Sequence, residues 1–161
     1  MLNNLSARNA ALAVAAIATA TIAGAWIFEY LGYAPCPLCL KQRWAYYAGI
    51  PLALVIAAIA PANDRAARVG LVLLGILWIG SAGFGVYHAG VEWKFWPGPG
   101  TCGGDLTGIL PDLSKKVIAC DEAAIRILGL SLAGWNAVIS LAMAAIALAG
   151  TRHQGSSSVS Q

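Results

Sequence analysis

Charged residues are what this sequence has least of. Only 11% of its 161 residues are charged and 59% are hydrophobic, whereas soluble domains carry about 25% charged residues. The mean hydropathy is correspondingly high, +0.71. A soluble enzyme of this length needs more charged surface, so that class is disfavoured, as is a disordered chain. The ten basic residues are scattered and give a net charge of only +3, so we expect no nucleic-acid partner.

The missing charges leave four long uncharged runs. They cover residues 9–28, 44–63, 69–91 and 127–151, with lengths of 20, 20, 23 and 25 residues. A bilayer is crossed by a helix of about 20 apolar residues, and backbone in hydrocarbon must satisfy its own hydrogen bonds. The runs therefore predict an all-α fold, a polytopic membrane four-helix bundle.

The predicted helices form a single four-span membrane domain over residues 1–150. They lie near 10–28, 44–60, 69–88 and 127–149. The Ser-rich end of the chain, 151–161, is predicted to be a disordered cytoplasmic tail. Ser81 and Gly85 lie four residues apart, which either lets a neighbouring helix approach closely or reflects the general tolerance of glycine in membrane helices.

The first run also has some features of a signal peptide. Arg8 provides a basic start, and Ala23-Gly24-Ala25 resembles a cleavage site. The apolar stretch is longer than the usual 7–15 residues of such peptides. Cleavage would also leave three spans and separate the two cysteine-bearing loops across the membrane, so we interpret the run as a span.

All four cysteines lie outside the runs, and the loops that carry them share one side of the membrane. Cys36 and Cys39 fall in the loop 29–43, and Cys102 and Cys120 in the loop 89–126. Basic residues are about equally dense on both sides and do not orient the chain. An even number of cysteines in one compartment favours disulfide chemistry outside the cytoplasm. The cysteine loops are thus predicted to be periplasmic and both termini cytoplasmic.

The first pair reads Cys36-Pro37-Leu38-Cys39, a spacing typical of redox-active dithiols. If a helix begins near Cys39, Arg43 lies one turn further on the same face. The guanidinium and the positive end of the helix dipole would then stabilise a thiolate at Cys39. The alternative is an arginine that meets lipid headgroups at the end of a span.

The simplest interpretation of the second pair, Cys102 and Cys120, is a structural disulfide. However, Cys102 follows a Pro- and Gly-rich stretch and precedes Gly103-Gly104, which predicts an accessible thiol on a mobile arm. Zinc held by all four cysteines is disfavoured because the second pair lacks the usual short spacing. We expect no metal.

The second cysteine loop contains two further membrane signals. Trp93, Lys94, Phe95 and Trp96 form an aromatic and basic cluster suited to the membrane interface. After Pro111, apolar residues up to Ile118 share one face with two lysines opposite, which predicts a short interfacial helix in this second outer loop.

These features together resemble the DsbB family, the disulfide bond formation protein B family. The resemblance covers residues 9–150 and lies in the C-x-x-C pair, Arg43 at the entrance to the second span, the second cysteine pair in the other outer loop and the four spans. It implies a multi-pass protein of the bacterial inner membrane that re-oxidises a periplasmic thiol oxidase of the DsbA type. The electrons would pass to the membrane quinone pool, with ubiquinone or menaquinone as cofactor.

The resemblance also implies a role for each cysteine. Cys102 would accept attack by the reduced partner. Cys120 would be released and exchange with Cys36, and Cys39 would become the thiolate that faces the quinone.

Three further residues are assigned to the quinone site by the resemblance or by position. Arg43 would hold the charge of quinone and thiolate. Trp135 lies where the family has an aromatic residue near the quinone, although it also suits a membrane-interface belt. His88, at the outer end of the third span, either approaches the quinone head or simply reaches the interface.

Two alternatives remain open at this point. One is a quinone-linked reductase of the vitamin K epoxide reductase type, which the resemblance disfavours because that family has its active C-x-x-C on a later span. The other is a non-enzymatic four-helix membrane protein stapled by structural disulfides.

Overall fold

The protein is a bundle of four long helices, as the sequence predicts. The computed structural model describes residues 5–102 and 120–152. The helices are α1 (Ala7–Tyr30), α2 (Pro37–Ile59), α3 (Asp64–Glu92) and α4 (Leu132–Gly150). The predicted interfacial helix at 111–118 and most of the predicted tail, from residue 153 onward, lie outside the described residues.

Each helix begins at a side chain that caps it. Ser6, Cys36, Asn63 and Ser131 each accept a hydrogen bond from the backbone N–H three residues further on, which satisfies one of the free donors at a helix start. All four predicted helix starts were wrong for this reason. The helices predicted near 10, 44 and 69 begin earlier, at Ala7, Pro37 and Asp64, and the one predicted near 127 begins later, at Leu132. Capping and not loss of charge sets a helix start.

Three of the four helices, α1, α3 and α4, are long and apolar enough to cross a membrane. The predicted span 44–60 lies in α2, which is not among these three. Its 23 residues extend about 34 Å at 1.5 Å per residue, so length is sufficient. Its first turns carry Lys41, Gln42 and Arg43, and these polar residues lower the mean hydropathy of the helix. That α2 also crosses the membrane therefore stays a prediction.

A short hairpin precedes α4. Strands β1 (Arg126–Ile127) and β2 (Leu130–Ser131) pair antiparallel. The two residues between them, Leu128 and Gly129, have φ of 52° and 85°, as a tight two-residue hairpin turn requires. The hairpin folds back the segment that the sequence analysis assigned to the start of the fourth helix.

Of the two interpretations of Ser81 and Gly85, the structure shows the close approach of a neighbouring helix, and that helix is α4. A Cβ on Gly85 would lie 2.9 Å from the backbone N of Ala137, so only glycine allows this approach. On the same face the hydroxyls of Ser81 and Ser140 lie 3.0 Å apart. Small residues and interhelical hydrogen bonds are typical of helix packing in membranes.

We predict that Gly85→Ala destabilises the protein because the new methyl group meets backbone that cannot move aside. The expected loss is about 1–3 kcal/mol, as for other overpacked cores. Gly83→Ala is the matched control, since a Cβ at Gly83 meets nothing within 4 Å. Thermal unfolding in detergent should show a lower Tm for Gly85→Ala alone, and equal Tm values for the two variants would contradict the assignment.

Candidate functional site

The C-x-x-C pair lies at the first turn of α2. Cys36 is the N-cap, and its Sγ accepts a hydrogen bond from the backbone N of Cys39 at 3.1 Å. The two sulfurs lie 2.7 Å apart and both cysteines are free thiols. Cys36 is buried, at 3% exposure, whereas Cys39 is partly exposed. The turn thus orients the two sulfurs towards different surroundings.

A histidine of α3 lies directly behind the buried sulfur. His88 Nε2 is 3.5 Å from Cys36 Sγ, and His88 Nδ1 is 3.0 Å from Gln42 Nε2. When the Gln42 amide donates to Nδ1, the neutral imidazole carries its proton on Nε2. That proton then points at Cys36. His88 itself is 1% exposed, so it contacts the dithiol and does not reach the interface.

A buried glutamate completes this cluster. Glu92 Oε1 lies 3.9 Å from His88 Nε2, and the Glu92 side chain is only 6% exposed. Its other oxygen, Oε2, has no hydrogen-bond partner among the described residues. Sequence reasoning missed Glu92 and gave Gln42 no role. The spacing of Glu92, four residues after His88, places both on one helix face and was a signal that could have found it.

Hydrogen bonding favours the thiolate at Cys36. The Cys39 thiol beside it, and then His88, lower the pKa of Cys36 to about 4 against the opposing effect of burial. The positive end of the α2 dipole acts in the same direction. The sequence analysis placed the thiolate at Cys39, because it could not show that Cys36 caps the helix. The two thiols share one proton and titrate as a pair.

The second pair forms a disulfide, Cys102–Cys120, with its Cα atoms 5.2 Å apart. Cys102 and Cys120 pack in one buried cluster with Cys36, Leu38 and Val91, and Cys39 packs against its edge. The structure therefore brings all four cysteines to the same end of the bundle.

The sequence analysis predicted an accessible sulfur at Cys102. This prediction is wrong for the disulfide-bonded state, in which Cys102 is only 7% exposed. A Cβ on Gly98 would lie 3.6 Å from the Cβ of Cys102 and 3.1 Å from Val91. Because Gly98 has no side chain, the chain packs closely over the disulfide at this position. The sequence analysis had interpreted the glycines around Cys102 as a source of mobility.

The segment before Cys102 is held by the aromatic and basic cluster at 93–96. Lys94 forms an ion pair with Asp121, which lowers the pKa of the Asp121 carboxyl. The indole of Trp96 stacks on Tyr87 and packs against Gly90. Trp93 and Phe95 stay exposed, as expected at a membrane interface.

A cavity of about 380 Å³ opens on the other side of Cys39. Its wall is largely apolar, with the rings of Phe28, Tyr33 and Trp135 and small residues of α1. The Trp135 indole donates to the backbone O of Ile127 at 2.9 Å, so the hairpin fixes the ring. Trp135 thus lines the cavity, and its role towards a quinone stays a prediction. His88 is not among the described residues that line this cavity.

Arg43 also lines the cavity, one turn from Cys39. Its Nη1 donates to Glu29 Oε2 of α1 at 2.7 Å, and among the described residues it makes no hydrogen bond to Cys39. Glu29, which sequence reasoning missed, positions the guanidinium at the rim. The arrangement provides a positive charge beside a partly exposed thiol and an apolar chamber of the size that takes small ligands.

Comparison with known proteins gives the same assignment. The family model described as disulfide bond formation protein DsbB matches residues 7–150. The chain belongs to the DsbB family. As a DsbB-family protein it is a disulfide oxidoreductase of the bacterial inner membrane. No solved structure matches the chain.

Curated relatives carry the same name. The disulfide bond formation protein B of Albidiferax ferrireducens is 32% identical over 72% of this chain and 70% of its own length. Disulfide bond formation protein B 1 of Pseudomonas fluorescens is 37% identical over 76% of each chain. An uncharacterized protein of Rickettsia prowazekii is 26% identical over 82% of this chain and 80% of its own length.

We predict that His88→Ala raises the pKa of Cys36, because the variant loses the imidazole that stabilises the thiolate. The measurement is thiolate absorbance against pH in the reduced Cys102→Ser/Cys120→Ser background, in which only the α2 pair titrates. The transition should move to higher pH. His153→Ala, at the chain's other histidine, is the control and should leave the transition in place. An unchanged curve for His88→Ala would refute the contact.

Proposed function

We propose that this protein re-oxidises a periplasmic dithiol oxidase of the DsbA type and passes the electrons to a membrane quinone. The overall reaction converts the partner's two thiols into a disulfide and reduces one quinone to a quinol, with two electrons and two protons transferred. No metal or flavin enters the balance. We also propose that the cysteine loops are periplasmic and both termini cytoplasmic, as the shared location of the four cysteines favours.

The outer step takes place at Cys102–Cys120. A partner thiolate attacks Cys102 Sγ, a mixed disulfide forms, and Cys120 leaves as a thiolate. A groove beside Cys102, lined among others by Lys94, Pro99 and Asp121, offers both apolar and charged contacts to an extended peptide. Because Cys102 is covered in this state, the segment held by the Lys94–Asp121 ion pair must first shift.

The inner step takes place at Cys36–Cys39. The Cys120 thiolate attacks Cys36 Sγ of the oxidised pair, and Cys39 leaves as a thiolate. The partner's second thiol then resolves its mixed disulfide with Cys102, and the partner leaves oxidised. The freed Cys102 thiolate attacks Cys120, re-forms the outer disulfide and releases Cys36 as a thiolate. Packing of Cys120 and Cys36 in one buried cluster supports this route. The observed state, with an outer disulfide and two inner thiols, corresponds to the point at which the electrons have reached α2.

The last step uses the apolar cavity. When bound there, a quinone supplies an acceptor for two electrons and two protons. Cys39 is the cysteine that lines this cavity, so it faces the acceptor, and Arg43 at the rim stabilises negative charge. His88 and the helix dipole hold Cys36 ready to re-form the disulfide with Cys39.

One observation carries the proposal. A single turn of helix presents one sulfur to the second cysteine pair and the other to an apolar cavity with a cation at its rim. A stapled protein without activity needs neither a cavity at Cys39 nor a free dithiol.

One observation supports the alternative of a non-enzymatic protein with structural disulfides. The Cys102–Cys120 disulfide is buried.

The two proposed functions predict different results for the same variants. Purified protein is mixed with quinone and a reduced DsbA-type partner, and quinone reduction is followed optically. Cys39→Ser should abolish turnover while the Tm is kept. Cys102→Ser should block oxidation of the partner but leave a reducible Cys36–Cys39 pair.

If Cys102→Ser lowered the Tm and left turnover unchanged, the staple would be the correct interpretation. Gly83→Ala, which adds a methyl group to α3 where nothing lies within 4 Å, is the control for general effects of substitution in the bundle and should keep full turnover.

We predict that Gly24→Leu raises the KM for quinone at least several-fold, because the new side chain occupies the cavity. Gly24 lines the cavity, and a Cβ there meets nothing within 4 Å, so the variant should fold. Gly80→Leu is the matched control, since Gly80 is equally open but does not line the cavity. Steady-state rates against quinone concentration test this. Equal KM values for both variants would show that the quinone binds outside this cavity.

A further inference from the structure

The end of the bundle that holds the reduced pair also carries a set of metal-ligand atoms. The sulfurs of Cys36 and Cys39 and a ring nitrogen of His88 all lie within 4.8 Å of one another. Cys36 and His88 are both buried. Two cysteines and one histidine are the protein ligands of a known class of zinc sites.

Glu92 is the independent observation that points to a cation. Its side chain is more than nine-tenths buried, its Oε1 lies 3.9 Å from His88 Nε2, and its Oε2 has no hydrogen-bond partner among the described residues. A buried carboxylate oxygen without a partner is costly. Glu92 lies outside the set of atoms within 4.8 Å of one another, but it is adjacent to His88, so a small shift of its side chain brings it to a cation held by the other three groups.

We propose that the reduced protein binds one zinc-class divalent cation through Cys36, Cys39, His88 and Glu92. Binding releases to solvent the one proton that the two sulfurs share and forms two metal–sulfur bonds. Zinc–sulfur bonds of about 2.3 Å in a tetrahedral site set the sulfurs about 3.8 Å apart. The sulfurs therefore separate from their present 2.7 Å, and a rotation of the partly exposed Cys39 side chain provides this.

The site exists in one redox state only. Oxidation of Cys36 and Cys39 to a disulfide removes both thiolates, so the oxidised protein has no metal site. Conversely, bound metal holds both sulfurs and blocks thiol–disulfide exchange until it is removed. This differs from a zinc site made by all four cysteines, because Cys102 and Cys120 take no part. It also depends on neither the quinone nor the partner protein.

The test uses full-length protein in detergent with Cys102→Ser/Cys120→Ser, so that only the α2 pair is available. Zn²⁺ is titrated in competition with a chromophoric chelator. The reduced protein should bind one equivalent, and the same protein oxidised to the Cys36–Cys39 disulfide should bind none. Glu92→Gln and His88→Ala should each weaken binding about ten-fold or more. Glu29→Gln, a nearby carboxylate outside the cluster, should bind as the parent does.

Equal binding by reduced and oxidised protein would overturn the proposal, and so would unchanged affinity in both Glu92→Gln and His88→Ala. A second measurement needs no substitution at the ligands. Co²⁺ bound to the reduced parent should show thiolate charge-transfer absorption together with the intense visible bands of a tetrahedral site. Absence of those visible bands would overturn the four-ligand set even if Glu92→Gln failed to fold.

Discussion

The capping of α2 by Cys36 is the interaction on which the site depends. The sulfur at the N-cap must lie over the first turn of α2 to accept a hydrogen bond from the Cys39 N–H. This hydrogen bond fixes the directions in which both sulfurs point. Cys36 faces α3 and the second disulfide, while Cys39 faces the cavity. Pro37 at the first helical position suits this turn, because its missing N–H is not needed there.

The same arrangement explains how a water-soluble dithiol and a lipid-soluble acceptor are kept apart. The two reactants approach different sulfurs of one turn, and neither needs to enter the other's site. Arg43 is held at the cavity by Glu29 of α1, and Trp135 is held by the hairpin before α4. The cavity wall is therefore assembled from α1, α2, α4, the hairpin and connecting segments, and both Arg43 and Trp135 are restrained within it.

The fold was predictable from the gaps between charged residues, because a bilayer imposes length and apolarity on each helix. The placement of Arg43 one turn after Cys39 followed from their spacing, whereas the start of α2 at Pro37 did not. The burial of Cys102 did not, since glycine permits both mobility and close packing and a sequence does not say which. His88 was left between the quinone head and the membrane interface, and in the structure it lies against Cys36. That contact joins residues 52 positions apart, and only the packing of α2 on α3 decides it.

One face of α3 links the interior of the bundle to its reactive end. Ser81, Gly85, His88 and Glu92 follow one another at spacings of four, three and four residues, so they share that face. The first two lock α3 against α4, and the last two face the dithiol. Each residue of an α-helix turns the chain by about 100°, at 3.6 residues per turn. A slip of a single position at Gly85 would therefore turn the imidazole away from the Cys36 sulfur, so the fit of α3 against α4 determines whether the dithiol keeps its histidine.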